Sequence, residues 1–543
     1  MNYSPSQIYS EYKKGVEFKS SMGSKGMYEQ NKINERFYVG DQWFGAKCGN
    51  DRPLVRHNVI KRIGDYKMSV LLSGPINISY SAEGVPDTVG IRDAVEKRRK
   101  DSSRGMEKDV ADKADNEEIA FVMSALNDYQ RVTAERVRFN LLVAKALKNA
   151  YIGGTGIIYT YWDPTISTGL YADQAKTVAI KGDIACECLN IENVYFGDPY
   201  NEDVQSQPYI IIATKKSPDE IYRESLMYKG DDAVGFDVNE FERDEKITVL
   251  TRLWKEYEDD GSYNVFAERV TEKSVIRPTF CIGVRMYPIA KFCWETRHDC
   301  SYGESEVTYL IPNQIAINRM ITSGVWSAMT TGMPTMVVNG DIIDGEITND
   351  PGQIVKIYGS SDDVANAIRY VSPPDNTGNF SGIVEPLINN TLSQNGANPA
   401  ALGDVNPDNT SAIIQLRNAA KLPLTMLETK YFAFLEEISR IWVEFWVMQY
   451  GRRRIKVNDE NGTWYMEFDG ERYKDLIINV SAEISSNASF TDESTVGVLN
   501  NLLEKDAITP AQYLKRLPKG LIPDVAALIK ETEMTKNADK GNL

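Results

Sequence analysis

The stretch from Phe380 to Tyr450 constrains this chain's architecture more than any other: a short apolar helix, an irregular loop, then a very long helical run. The loop over Gln394–Asn409 holds Gly, Pro, Asn or Asp at most positions, among them Asn395, Asn398, Pro399, Asp404, Asn406 and Asp408. Those residue types favour turns and break helices. From Thr410 to Gln449 the pattern becomes helical for about 40 residues, or ~60 Å at ~1.5 Å per residue. Leu427, Tyr431, Phe434, Ile438, Ile441 and Phe445 recur three and four apart, and Leu435 and Trp442 widen the stripe. Pro423 lies inside the run, so a kink or break is expected near Leu422. A single compact domain rarely needs such a helix behind so irregular a loop, whereas a large assembly has a use for one.

At 543 residues the chain exceeds one core, and three or four structural units are expected. An apolar fraction of 42%, with 29 Tyr, 17 Phe and 8 Trp, supplies enough packing groups for a folded protein. The formal charge of -16 argues against gripping nucleic acid over a broad basic face, yet suits a wall past which nucleic acid slides. The first residues carry neither a basic nor an apolar leader region, so no signal peptide is expected there. No window offers the ~18 uninterrupted apolar residues of a membrane span. The six cysteines follow no CxxC spacing. Cys293, His298 and Cys300 form the one cluster worth weighing as metal ligands, but a fourth ligand is missing and buried reduced thiols are the better reading.

Periodicity organises the rest. Residues 1–35 read as a loosely helical arm, ending in a turn at Gly40–Asp41. Val55–Leu72 reads as an amphipathic helix and Ile76–Tyr80 as a strand. Mixed charges from Arg92 to Glu118 suggest an exposed connection, followed by one helix over Glu118–Ala150, a glycine turn and a strand from Ile157. Strand-like runs at Ala179–Leu189, Tyr209–Thr214, Lys246–Glu256 and Asn264–Val270 indicate an α+β class with a mixed or antiparallel sheet. Tyr302–Thr330 is helical again, with Val307, Leu310, Ile317 and Ile321 on one side. A small β insert follows, at Thr335–Asn339, Gln353–Tyr358 and Arg369–Val371. The helix before it and the helix over Phe380–Ser393 are expected to lie side by side. Three more strands, at Arg452–Val457, Thr463–Phe468 and Leu476–Ile484, are suited to return to the first domain, and helices close the chain.

In that order the chain resembles the portal proteins of tailed bacteriophages, especially those of short-tailed phages. The segments ALKNAYIGGTGIIY (146–159), IENVYFGDP (191–199) and SYGESEVTYLIPNQIAIN (301–318) carry the likeness, which extends over about 35–450. No one motif is diagnostic; the order of elements is. The resemblance implies a homo-oligomeric ring of about a dozen subunits at one capsid vertex of the virion, assembled in the host cytoplasm. Such a ring is the channel for DNA packaging and ejection. Its partners would be double-stranded DNA, the terminase large subunit, a tail adaptor, and the major capsid and scaffolding proteins, with no membrane and no cofactor. It further implies a wing over 1–300 with strands at 451–485, and a stem at 301–330 and 380–393. The clip would be 331–379, the tunnel loop 394–409, the long helix 410–449 and the crown 486–543. The crown is short, so the helical barrel that some portals add is absent.

On that reading the tunnel loop meets DNA with small neutral groups plus Asp404 and Asp408, a surface for passage more than for storage. An ordinary surface loop is the plainer alternative. Arg319, Arg417 and Lys421 are the nearest cations for phosphate contact, and solvated helix faces account for them equally well. Asp341, Ile342, Ile343, Asp344 and Tyr358 of the clip suit edge pairing or partner docking, with a small hairpin core as the competing view. The aromatic stripe over 431–446 is packing.

Enzyme readings find less support. Gly153–Gly156 lacks the GxxxxGK(S/T) spacing of a phosphate loop and precedes a strand. His57 and His298 are the only histidines, and no Ser or Cys nucleophile motif accompanies His298 and Asp299. The acid pairs Asp259–Asp260 and Asp362–Asp363 fall in turns. A metal- or nucleotide-dependent cytoplasmic enzyme with a helical oligomerisation arm is the alternative function.

Overall fold

Local capping chemistry sets the first elements. Gln7 Oε1 accepts from the Ser4 N–H at 2.9 Å ahead of helix α1 (Pro5–Ser21). Helix α2 (Met27–Val39) stops at Gly40, whose φ of 96° suits only glycine. Asn58 caps α3 (Val59–Leu71) by accepting from Lys61 N–H at 3.0 Å, and strand β1 (Ile76–Ser81) follows. The structure, a computed structural model, describes residues 3–516 apart from 46–52, 75, 82–107, 172–178, 229–233, 237–245, 258–262, 333–334, 340, 342, 345–346, 348–353, 355, 372–376, 398–421, 460–461, 471–478, 485–488 and 506–507. It is a mixed α+β protein. Among the described residues no helix is long and apolar enough to cross a membrane.

Two expectations need correction in the next stretch. Residues from Lys108 onward, read as an exposed connection, are helical, and the single helix over Glu118–Ala150 is two: α4 (Lys108–Arg136) and α5 (Phe139–Gly153). The break falls at Arg138, which takes a left-handed φ of 53°. Its carbonyl accepts from the N–H groups of Leu141 and Leu142 at 2.9 and 3.1 Å, starting the new helix. Packing explains the interruption. The buried face of α4 carries Val122, Leu126, Gln130 and Thr133. A straight continuation would present positions 137, 140 and 144 to the core, whereas the break presents Phe139, Val143 and Ala146.

Strands β2 (Thr155–Tyr171), β3 (Ala179–Asn190), β4 (Val194–Phe196) and β5 (Tyr209–Lys216) come next, then helix α6 (Pro218–Leu226). Strands β6 (Ile247–Tyr257), β7 (Tyr263–Val270), β8 (Val275–Cys281) and β9 (Ile289–Cys293) complete this region. They form an antiparallel three-stranded sheet, β3-β2-β9, and an antiparallel five-stranded sheet, β4-β5-β6-β7-β8. Helix α1 lies on the larger sheet, with Ile8 buried against Tyr195, Ile211 and Leu250. The opening segment is thus a docked element and not the loose arm its polar composition suggests. Two basic side chains hold it. Arg252, only 3% exposed on β6, bonds Glu11 at 2.9 Å and stacks on Tyr3. Lys19 is wholly buried and donates to the carbonyls of Ile191 and Val194 at 2.5 and 2.6 Å, its amine 3.8 Å from the ring centroid of Tyr195.

The second half runs helix α7 (Glu306–Gly332), strands β10 (Thr335–Val338), β11 (Ile343–Asp344) and β12 (Lys356–Ile357), short helix α8 (Ser361–Asn366), strand β13 (Ile368–Val371) and helix α9 (Thr377–Gln394). The long helical run is described from a 3-10 turn at Leu422–Leu424, around Pro423, into α10 (Thr425–Gln449). The expected break at Pro423 is therefore present, while 410–421 lies outside the described residues. The whole stripe of Leu427, Tyr431, Phe434, Leu435, Ile438, Ile441, Trp442 and Phe445 is buried, in one core that includes residues from Met27 to Ala482. Trp442 packs on Phe139 with ring centroids 5.1 Å apart, and Trp446 meets Tyr80 at 6.0 Å. Of the three strands expected to return, one does: β16 (Asn479–Ile484) pairs with β1, while β14 (Arg452–Asp459) and β15 (Gly462–Asp469) pair with each other. Helices α11 (Ser489–Glu504) and α12 (Pro510–Arg516) end the described chain.

Burial pushes the Lys19 amine well below its ordinary value, with Glu192 opposing the shift. The folded state then binds fewer protons than the unfolded state between that lowered pKa and the ordinary lysine value, so this group adds stability as pH rises through the interval. Urea titrations of the protein and of Lys19→Met from pH 7 to 10 should show the parent gaining stability relative to the variant. A difference that stays flat or narrows the other way would place the amine in solvent.

Candidate functional site

Helix α7 starts in the body of the protein and leaves it. Its first residue, Glu306, is buried and accepts from Lys67 Nζ at 2.6 Å and Trp294 Nε1 at 2.7 Å. Val307, Leu310 and Ile317 join the core. Between them stand two buried amides, Gln314 and Asn318, that the apolar pattern passed over. Gln314 Oε1 accepts from the N–H groups of Val59 and Ile60 at 2.9 and 3.3 Å, satisfying the first turn of α3 from another helix. Its Nε2 donates to the His57 carbonyl at 2.6 Å. Asn318 Oδ1 accepts from His57 N–H at 3.0 Å, and its Nδ2 donates to Gln42 Oε1 at 2.6 Å. Gln42 in turn donates to the Phe37 carbonyl at 2.9 Å, and Thr322 accepts from Val55 N–H at 3.2 Å. The sequence signal was available: amides at i and i+4 on the face that also carries Leu310 and Ile317.

Past Asn318 no described residue of α7 is fully buried; the helix is covered on one side by α9, which packs along it. At Gly324 the approach is close, since a Cβ there would lie 3.2 Å from Phe380 Cβ. This is the side-by-side pair that the order of elements predicts. At its far end β10 and β13 pair antiparallel, with Thr335 opposite Val371, and β11 and β12 form a second short ribbon. Of the strand expected over Gln353–Tyr358, Lys356–Ile357 is paired with β11, while Gln353 and Val355 lie outside the described residues. Ile343 and Asp344 stand opposite Ile357 and Lys356, Asp341 lies in an exposed turn, and Tyr358 is 64% exposed. Ile342 lies outside the described residues. Charge is scarce on the pair: after Glu306, Arg319 is the one charged residue of α7, and Glu385 the one of α9. Arg319 is exposed. So are several apolar groups along the pair and its tip, including Ile383, Tyr370, Val337 and Ile354.

The other end of α9 shows how the irregular loop is held. Ala397 N–H reaches back to the Leu392 carbonyl at 2.9 Å and Gly396 N–H to the Ser393 carbonyl at 3.1 Å, with Gly396 left-handed at φ 76°. That is a Schellman closure, tightened by Asn395 Nδ2 donating to the Thr391 carbonyl at 2.7 Å. Gln394–Ala397 therefore belongs to the end of the helix, and Asn395 is a cap. Ala397 is buried, and a Cβ on Gly396 would lie 3.3 Å from Pro423 Cβ. The chain leaving α9 and the chain entering α10 thus meet at one point. Asn398, Pro399, Asp404, Asn406, Asp408, Arg417 and Lys421 lie between those points, outside the described residues.

Among the described residues no group of three or more His, Cys, Asp or Glu could hold a metal ion. Burial raises the Cys293 thiol, and the Cys186 and Cys188 thiols to about 11 each. His298, 93% exposed, is paired with Asp299 at 2.9 Å. In comparisons with known proteins, no family model matches the chain and no curated protein matches it.

Truncating Asn318 to Ala should leave the buried Gln42 Oε1 without its donor and remove the acceptor of His57 N–H, at a cost of about 1–3 kcal/mol. Urea denaturation measures it, and a loss below ~0.5 kcal/mol would show that the amide row does not anchor α7.

Proposed function

We propose that the chain is a subunit of a portal-like ring, a DNA channel at one vertex of a phage capsid, with the portal fold: an α/β wing, a helical stem, a β-rich clip and a short crown. One observation carries the reading. A helical pair, α7 with α9, bears a small β tip at its outer end. At its base Gly396, which closes α9, meets Pro423 directly ahead of the core helix α10, so the chain leaves and returns at one point. In this reading the pair is the stem, the tip over 331–379 is the clip, and the segment beyond Ala397 is the tunnel loop. Helix α10 is the rigid support behind that loop. Its aromatic stripe packs within the subunit.

Two physical features support assembly into a ring. The outer half of the helical pair and its tip expose Ile383, Tyr370 and Val337 to at least half of their full extent, apolar groups that a neighbouring subunit would cover. The pair is also almost free of charge, which favours close packing of neighbours and gives passing phosphates little to bind. Terminase, a tail adaptor and the capsid and scaffolding proteins are the partners this role requires. Arg319 is the described cation best placed for a phosphate contact, and Asp341, Ile343, Asp344 and Tyr358 for contacts between clips or with the adaptor.

Native mass spectrometry of the purified chain, with negative-stain images of the same sample, tests the ring. A closed ring of about a dozen subunits with a central hole is the expected result, and a monomer that persists when scaffolding protein is supplied would refute it. Deleting residues 399–407, which spares the closure at Gln394–Ala397, should leave ring assembly intact and impair DNA packaging or retention. Rings that no longer form would remove this loop from the channel wall.

A further inference from the structure

Both helices of the projecting pair are weakened at one level. Helix α9 carries Pro386 in its interior. Proline offers no N–H to the carbonyl four residues back, and its ring crowds that carbonyl. The residue four back is Gly382, of the other residue type least suited to a helix interior. Gly382 is not left-handed, and among the described residues no atom lies within 4 Å of the place its Cβ would take. Neither a turn nor a close approach within the described chain therefore requires glycine there. Gly382 and Pro386 are exposed, whereas Val384, Leu387 and Ile388 are half-buried, so the gap in the hydrogen-bond ladder lies on the solvent side. Beside it α7 carries Ser323–Gly324, another kind of sequence at which helices kink. The two weak points share one height, because a Cβ on Gly324 would lie 3.2 Å from Phe380 Cβ, two residues from Gly382. Below this level Gln314 and Asn318 hold α7 to the body, and the other interior proline, Pro312, lies below them. Above it the pairing of β10 with β13 ties the outer ends of the two helices together.

We propose that the level of Gly324, Gly382 and Pro386 is a hinge, on which the outer turns of α7 and α9 tilt with their β tip as one body. Such a hinge belongs to the helix pair itself and does not depend on the ring proposed above. The Gly382 carbonyl receives no N–H from Pro386 at any angle, so bending there sacrifices no helical bond. Without a Cβ, Gly382 also gives the backbone room to turn away from the proline ring. The missing bond lies on the solvent side of α9, so that side opens and the tip leans across α7. The amide row at Gln314 and Asn318 keeps the base still while this happens, and the β10–β13 ladder keeps the tip intact. A tip mounted in this way meets a partner at more than one angle with no change in the body.

The test uses the full chain with p-acetylphenylalanine in place of the exposed Tyr309 of α7 and Tyr370 of β13, each ketone carrying a nitroxide. Labelled chain is diluted into unlabelled chain, and pulsed double electron resonance reads the distance distribution between base and tip. A broad distribution is expected, and its width should fall about twofold when Gly382→Ala and Pro386→Ala are combined. A narrow distribution in the parent, or equal widths in parent and variant, would overturn the hinge. Hydrogen exchange gives a second reading. Amides of residues 383–385 should exchange about tenfold more slowly in the variant, while those of 314–318 stay as they were. An equal change at 314–318 would show the whole pair moving from its base and would overturn a pivot at this level. A variant that keeps the parent's width and exchange but loses self-association would assign Gly382 to a close contact between copies instead.

Discussion

The amide row Gln42–Asn318–Gln314 is the constraint on which the outer half of the molecule depends. A helix that leaves a domain and projects outward has little apolar burial to fix its direction, because its outer turns pack on one neighbour only. Here direction is fixed at the base. Five hydrogen bonds from Gln314 and Asn318 to residues 57–60 and Gln42 allow one rotation and one height of α7 against the strap that precedes α3. Each bond is modest in net worth, but each buried amide left without its partners costs the full desolvation of that group. The row therefore penalises misplacement more than it rewards placement. Hydrophobic contacts, being non-directional, cannot do this alone.

Much of this architecture was legible in the sequence because its elements carry strong local signals. Gly40, Gly154 and Pro423 end or begin elements where turn chemistry predicts, whereas the helix read from Val55 starts only at Val59, after its Asn58 cap. The three-and-four spacing of the α10 stripe translated into burial at every position named. The order of helix, β insert and helix gave the antiparallel pair. What failed was non-local. The helix over Glu118–Ala150 reads as continuous because nothing in its residues forbids continuity; the break at Arg138 comes from which face the core needs on either side. The first 35 residues look solvated because Lys19, Glu11 and the tyrosines are amphipathic, and only the sheet beneath them makes them interior groups. Of the candidate site, Asn395 and Gln394 were assigned to a loop from composition, although Asn and Gly are also what a Schellman closure demands.

The two halves of the molecule differ in how they use charge. The body buries basic side chains: Arg252 against Glu11 and aromatic rings, Lys19 against two carbonyls. Side chains placed this way lock one element to another, and burial lowers the pKa of the Lys19 amine. The projecting pair carries Arg319 and Glu385 and no other charge beyond its first residue. Association of such surfaces would rest on shape and apolar area, with little dependence on salt.

The meeting of Gly396 with Pro423 has a consequence for how this chain can vary. Because Gly396 and Pro423 meet, the two ends of the intervening segment are held together whatever its length. Closing a loop costs entropy only as the logarithm of its length, about 0.6 kcal/mol for each doubling. A change in the number of residues there therefore alters the closure cost only slightly and leaves the junction of α9 with α10 in place. The fold treats that span as a replaceable insert on a fixed mount, so its reach can be retuned without redesigning the scaffold.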